Sequence, residues 1–133
     1  MRKYILDANI YLRFLLNDNV LQAQKAKDYL QQAREHKISL ILYPEIVLEV
    51  AYVLKSVYKL AKAEVAQSLS MICKTDYVSV IDRDILLRAI DVFAKKSIDI
   101  TDCLLYARAK ETGTEVLSFD KDFSKLKNMN LND

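Results

Sequence analysis

A chain of 133 residues carrying a net charge of +2 and 52% hydrophobic residues fits one domain, spanning residues 1–133, with enough apolar material for its core. That composition argues against disorder, and no stretch approaches the roughly 20 uncharged apolar residues of a membrane span. Lysines and arginines are scattered rather than blocked into an arm, so the charge permits nucleic-acid binding without indicating it.

The N-terminus runs directly into Arg2-Lys3 and a strand-like segment, without a signal peptide's apolar stretch, which points to a soluble cytoplasmic protein. Residues 3–8 read as a short buried strand. Residues 9–16 read as a helix, stopped by the polar Asn17-Asp18-Asn19. Apolar residues at helical spacing (Leu21, Ala23, Ala26, Tyr29, Leu30, Ala33) predict a second helix over 20–35. A second strand over 38–43 ends at Pro44, which suits the first turn of a helix reaching about residue 59.

A further helix over 63–74 leads to a third strand over 77–81. Asp82 is placed to cap a helix over 83–96, and Asp99 or Thr101 the next, which Gly113 closes. Residues 115–119 read as a fourth strand, followed by a short helix from 121 and a final edge strand near 129–131. One glycine and one proline leave no room for a flexible linker. Strands alternating with helices predict an α/β fold: a mostly parallel sheet of four to five strands, covered on both faces. In such sheets ligands bind beyond the carboxyl ends of the strands.

Four acids are awkwardly placed in this pattern. Asp7 closes the run Tyr4-Ile5-Leu6, and Asp120 ends Glu115-Val116-Leu117-Ser118-Phe119, so parallel pairing sends both to one sheet edge. Glu49 interrupts an apolar stretch. If Ile46, Val50, Val53 and Val57 form the buried stripe, Glu49 lies roughly 40° from Val53. Asp102 opens the stripe of Leu105, Tyr106 and Ala109. An acid at a core edge must be paired, protonated or neutralised by a cation.

Ordinary explanations exist for several neighbours. Glu45 is a favourable first-turn acid, Asp99 reads as a cap, and either Asp120 or Asp122 can cap the last helix. Cys73 and Cys103 lie in helical apolar patterns and read as small core residues. His36, the only histidine, lies at a predicted helix end, which argues against histidine-based zinc sites. Carboxylates without histidine or cysteine suit Mg²⁺ or Mn²⁺ and metal-assisted phosphoryl transfer, with Asn9 and Ser118 available to orient a ligand.

The ordered motifs resemble those of PIN domains. Ile5-Leu6-Asp7-Ala8-Asn9 is similar to the family's opening motif, and Glu49 with Val50-Ala51-Tyr52-Val53-Leu54 to its second acid. Ile100-Thr101-Asp102-Cys103-Leu104 resembles the third-acid motif, and Val116-Leu117-Ser118-Phe119-Asp120-Lys121-Asp122-Phe123 the closing one. The resemblance spans nearly the whole chain. It implies a three-layer α/β/α sandwich and a Mg²⁺- or Mn²⁺-dependent ribonuclease, with Asp7, Glu49, Asp102 and Asp120 as catalytic and metal-holding residues and Asn9, Ser118 and Asp122 in support.

A compact single domain of this kind resembles the VapC-type toxins of toxin–antitoxin pairs. That implies an endoribonuclease cleaving RNA with a metal-activated water, a homodimer, and a small antitoxin protein as partner. Two departures stand out: Ala8 replaces the usual hydroxyl residue after the first acid, and Ser118 replaces the usual threonine. Two other readings remain open. One is a different phosphoryl-transfer domain, such as a phosphatase or receiver, although the first strand lacks an Asp-x-Asp pair. The other is a catalytically inactive module binding RNA or protein.

Overall fold

The computed structural model describes residues 1–126 and contains a three-stranded parallel sheet in the order β1 (Arg2–Ile5), β2 (Ile38–Leu42), β3 (Ser79–Val80). Tyr4 stands opposite Leu40 and Ile41 opposite Ser79. Among the described residues seven helices surround these strands: α1 (Ala8–Leu16), α2 (Val20–Arg34), α3 (Pro44–Ser56), α4 (Lys62–Cys73), α5 (Arg83–Lys95), α6 (Ile100–Thr112) and α7 (Asp122–Leu126). Parallel neighbours need long crossovers, which α1–α2 and α3–α4 supply. The α/β expectation therefore holds. No helix among the described residues is long and apolar enough to cross a membrane.

Local chemistry sets most element ends. Asn19 caps α2 by accepting from the Gln22 N–H at 3.1 Å. Pro44 occupies the first turn of α3, where its missing N–H costs nothing. Gly113 closes α6 at φ 68°, a left-handed conformation that glycine adopts without a Cβ penalty. Arg83 fastens the approach to β3 and α5, donating to the carbonyls of Cys73 (2.8 Å), Thr75 (2.9 Å) and Val78 (2.7 Å).

The core gathers on the central strand. Leu40 and Leu42 of β2 are buried with Leu54 of α3, Leu69 of α4 and Leu86 of α5. Each such side chain stabilises the fold by about 1.5–3 kcal/mol relative to exposure. Cys73 and Cys103 belong to this core as free thiols, as the sequence predicts, and burial pushes both up to about 12.

Two expectations need correction, and a third falls outside the described residues. Residues 115–119 form no strand and pair with none, so the sheet has three strands among the described residues rather than four or five. A β-like sequence forms a strand only where another backbone meets its N–H and C=O groups, and here Leu117 and Phe119 point into solvent. The edge strand expected near 129–131 lies outside the described residues. Asp82 stands at the start of α5 but does not cap it. Its backbone is left-handed (φ 57°), and its carboxylate instead accepts from Arg108 Nη1 at 2.9 Å.

Candidate metal centre

Parallel strands end on one side of the sheet, and α1 and α3 start there directly after β1 and β2. Asp7 is the residue before α1, in extended conformation. Its backbone carbonyl accepts from the Ile10 N–H at 3.2 Å, but its side chain makes no capping bond. The carboxylate is exposed and uncommitted, as is the first-turn residue Asn9 on the exposed face of α1.

Glu49 is also exposed, and this overturns the wheel argument. The buried side of α3 is formed by Pro44, Val47, Val50, Ala51 and Leu54, whereas Val57, expected in the stripe, is 63% exposed. At about 100° per residue, Glu49 lies about 200° from Val47. Its charge faces water and needs no cation to be tolerated. Among the described residues no charged side chain is buried, so the burial argument fails for Asp7 and Glu49 alike.

A different set of acids converges. One carboxylate oxygen from each of Asp102, Asp120 and Asp122 lies within 4.8 Å of the others. Asp102 is half-buried in the first turn of α6, while the other two arrive from the turn leading into α7. That turn is shaped by two short side-chain bonds. Ser118 Oγ accepts from the Asp120 N–H at 2.9 Å, and Asp120 Oδ1 accepts from the Asp122 N–H at 2.9 Å.

Ser118 thus fixes the backbone that presents Asp120, rather than joining the acids itself. The choice between Asp120 and Asp122 dissolves: both belong to the group. Asp120 also serves as a local cap, and Asp122 pairs with Lys125 at 3.3 Å.

The electrostatics agree with the geometry. Burial pushes the Asp102 carboxyl above its ordinary value, and the charges of Asp120, Asp99 and Asp122 push it further in the same direction. Asp99, which reads as a cap, occupies the residue before α6 but makes no side-chain capping bond. It belongs to this acidic neighbourhood instead. Its position three residues before Asp102, one helical turn away, was the available signal. Asp7 and Glu49 are not in the converged group and do not contribute to the Asp102 shift.

Crowded carboxylates with no cationic neighbour strong enough to hold Asp102 low form a donor set for a hard divalent cation. Mg²⁺ and Mn²⁺ take oxygen ligands, commonly a few carboxylates with water completing the shell. The residues present fit such an ion: the group is all oxygen, partly exposed, and free of histidine and cysteine.

Comparison with known proteins then places the chain. The PIN domain family matches residues 4–129. The chain belongs to the PIN domain family. Membership gives the three-layer α/β/α architecture that the motif order implies, here with a three-stranded sheet among the described residues. A VapC ribonuclease of Aquifex aeolicus (strain VF5) is 24% identical over 123 residues, covering 92% of this chain and 90% of that protein. No solved structure matches the chain.

Proposed function

We propose that this PIN-domain protein is a metal-dependent endoribonuclease, the toxin of a toxin–antitoxin pair. The observation that carries the reading is the convergence of Asp102, Asp120 and Asp122 within 4.8 Å, in a chain similar along 92% of its length to a VapC ribonuclease. Asp102, Asp120 and Asp122 would hold Mg²⁺ or Mn²⁺. A divalent cation, when bound there, supplies Lewis acidity towards a phosphodiester and lowers the proton affinity of nearby water.

The chain's own residues divide the remaining work. Burial and its acidic neighbours raise the Asp102 carboxyl above its ordinary value, and a cation neutralising that neighbourhood would bring it back down. Ser118 holds the Asp120 backbone, and the Asp122 N–H holds the Asp120 carboxylate. Asp7, at the carboxyl end of β1 where ligands of α/β folds bind, and Glu49, exposed on α3, have uncommitted carboxylates and complete the acid set towards the substrate. Asn9, two residues beyond Asp7, orients the RNA by hydrogen bonding.

The same reading implies an RNA substrate, a small cognate antitoxin protein, a homodimeric assembly and a cytoplasmic setting. Cleavage of single-stranded RNA in Mg²⁺ or Mn²⁺ should disappear in excess EDTA and in Asp102→Ala and Asp7→Ala. Cleavage that persists in EDTA or in both variants would overturn the proposal. A module that binds without catalysis is the second reading, favoured by the separation of Asp7 and Glu49 from the converged acids. Folded protein that binds RNA but gains no thermal stability from Mn²⁺ would decide for it.

A further inference from the structure

A cavity of about 280 Å³ lies where the end of α3, the start of α4 and the turn from α5 into α6 meet. Lys55, Lys62, Phe93, Ser97 and Asp99 are among its lining residues. Two lysines thus face one small space, and neither has an ion-pair partner among the described residues.

Lys62 is oriented without being neutralised. Its ammonium donates to the Lys96 carbonyl and lies 4.7 Å from the centre of the Phe93 ring. A carbonyl and a ring face attract a cation but carry no net negative charge. Lys55 is exposed on the last turn of α3. Asp99 is the one acid lining the cavity, and its charge acts on Asp102. The field of Lys62 reaches the Cys103 thiol, next in sequence to Asp102, yet Lys62 is absent from the influences on Asp102 itself. Lys62 therefore stands near the acidic group, and neither lysine forms an ion pair with its acids among the described residues.

We propose that this cavity holds a backbone phosphate of the RNA strand, one that is not cleaved, and so sets the register of the strand across the acidic group. The inference rests on the ribonuclease reading and extends it. Lysine ammonium groups bind phosphate as point charges, and phosphate contacts fix position without reading sequence. The volume falls just below the roughly 300–1,000 Å³ of pockets that enclose whole small ligands. It suits a single charged group on a longer chain. Asp99 joins the two places: it lines the cavity and stands one helical turn from Asp102. A strand anchored at the lysines therefore runs towards the converged carboxylates.

The test is fluorescence anisotropy of the full chain with 5′-labelled single-stranded RNAs of unrelated sequence, in EDTA to prevent cleavage, over a range of salt concentrations. Lys55→Gln should weaken binding by a similar factor for every sequence. It should also flatten the dependence of log K on log salt by about 0.7, the value of one single-strand phosphate contact. The Lys55→Gln/Lys62→Gln double variant should flatten it by about 1.4. Lys62→Arg keeps the charge and should keep the wild-type slope, which separates charge from any effect of Lys62 on folding.

Unchanged affinity and slope in Lys55→Gln and in the double variant, or weakening confined to one sequence, would overturn the proposal. Its failure is distinguishable from failure of the nuclease reading. Wild-type protein that cleaves RNA while the lysine variants keep their slopes defeats only the cavity. Lysine variants that show the slope changes, beside wild-type protein that never cleaves, defeat only the nuclease. Wild-type protein that binds no RNA defeats both.

Discussion

The head of α6 and the end of β1 carry the same chemical group in opposite circumstances. At α6, Asp102, Asp120 and Asp122 share one small volume and raise the proton affinity of Asp102. At β1, Asp7 is exposed and unpaired, and Glu49 on α3 is equally open to water. The first region bears an electrostatic cost that a cation would remove, while the second bears none. Acids in an apolar sequence context are thus not all alike: Asp102 is half-buried and crowded by other acids, whereas Asp7 and Glu49 are neither.

The largest effects should come from cleavage assays that set the two regions against each other. Asp102→Asn is expected to lower the rate of RNA cleavage by more than about 100-fold, the upper end of what losing an outer partner of a metal ligand costs. Asp7→Asn and Glu49→Gln should also reduce cleavage strongly, through substrate rather than metal. A full-rate Asp102→Asn enzyme would remove α6 from the mechanism altogether.

Metal binding sharpens the same contrast without reference to activity. At Mn²⁺ concentrations about 100-fold above the dissociation constant, a single site stabilises the folded chain by about 2.7 kcal/mol. Thermal melts should show that gain in wild type, lose it in Asp102→Asn, and keep most of it in Asp7→Asn. Equal loss in both variants would mean that the two regions close into one site around the ion.

A smaller effect is expected in EDTA as a function of pH. The Asp102 carboxyl titrates above its ordinary value of 3.8 in the folded chain, chiefly through burial and then through its acidic neighbours. Between 3.8 and the raised value the folded state therefore holds more protons than the unfolded one. Stability falls as pH rises through that window and stays lower above it. Asp102→Asn removes the penalty, so the variant should melt above wild type at neutral pH, and the difference should close as pH falls below about 3.8. The sign reverses when Mn²⁺ is added. A variant that melts below wild type in EDTA would show that the crowding is not a cost.

Much of the fold was legible from local signals. Asn19, Pro44 and Gly113 mark ends that depend on a few neighbouring atoms, and the structure places helix boundaries at each. The site was legible only in part. Asp102, Asp120 and Asp122 were named from motif order, but their convergence depends on the Ser118 turn and on where α7 rests against the rest of the chain. Glu49 was misplaced because α3 is apolar on more than one side. Ile46, Val53 and Val57 suggested one stripe, while burial chose Val47, Ala51 and Leu54. Residues 115–119 have a strand's composition, but a strand also needs a partner that local sequence does not supply.

That last region gives the smallest expected effect and a direct check on the contrast between assembled and unassembled parts. Leu117 is fully exposed, so Leu117→Ala removes no buried surface and should change stability by no more than about 0.5 kcal/mol. Leu54→Ala, at a fully buried position of α3, sets the scale at about 2–5 kcal/mol. Denaturant melts of the two variants side by side make the comparison. A cost for Leu117→Ala approaching that of Leu54→Ala would mean that residues 115–119 are packed in solution. Asp120 would then be held at a strand end beside the carboxyl end of the sheet, and the distance between the α6 acids and Asp7 would shrink with it.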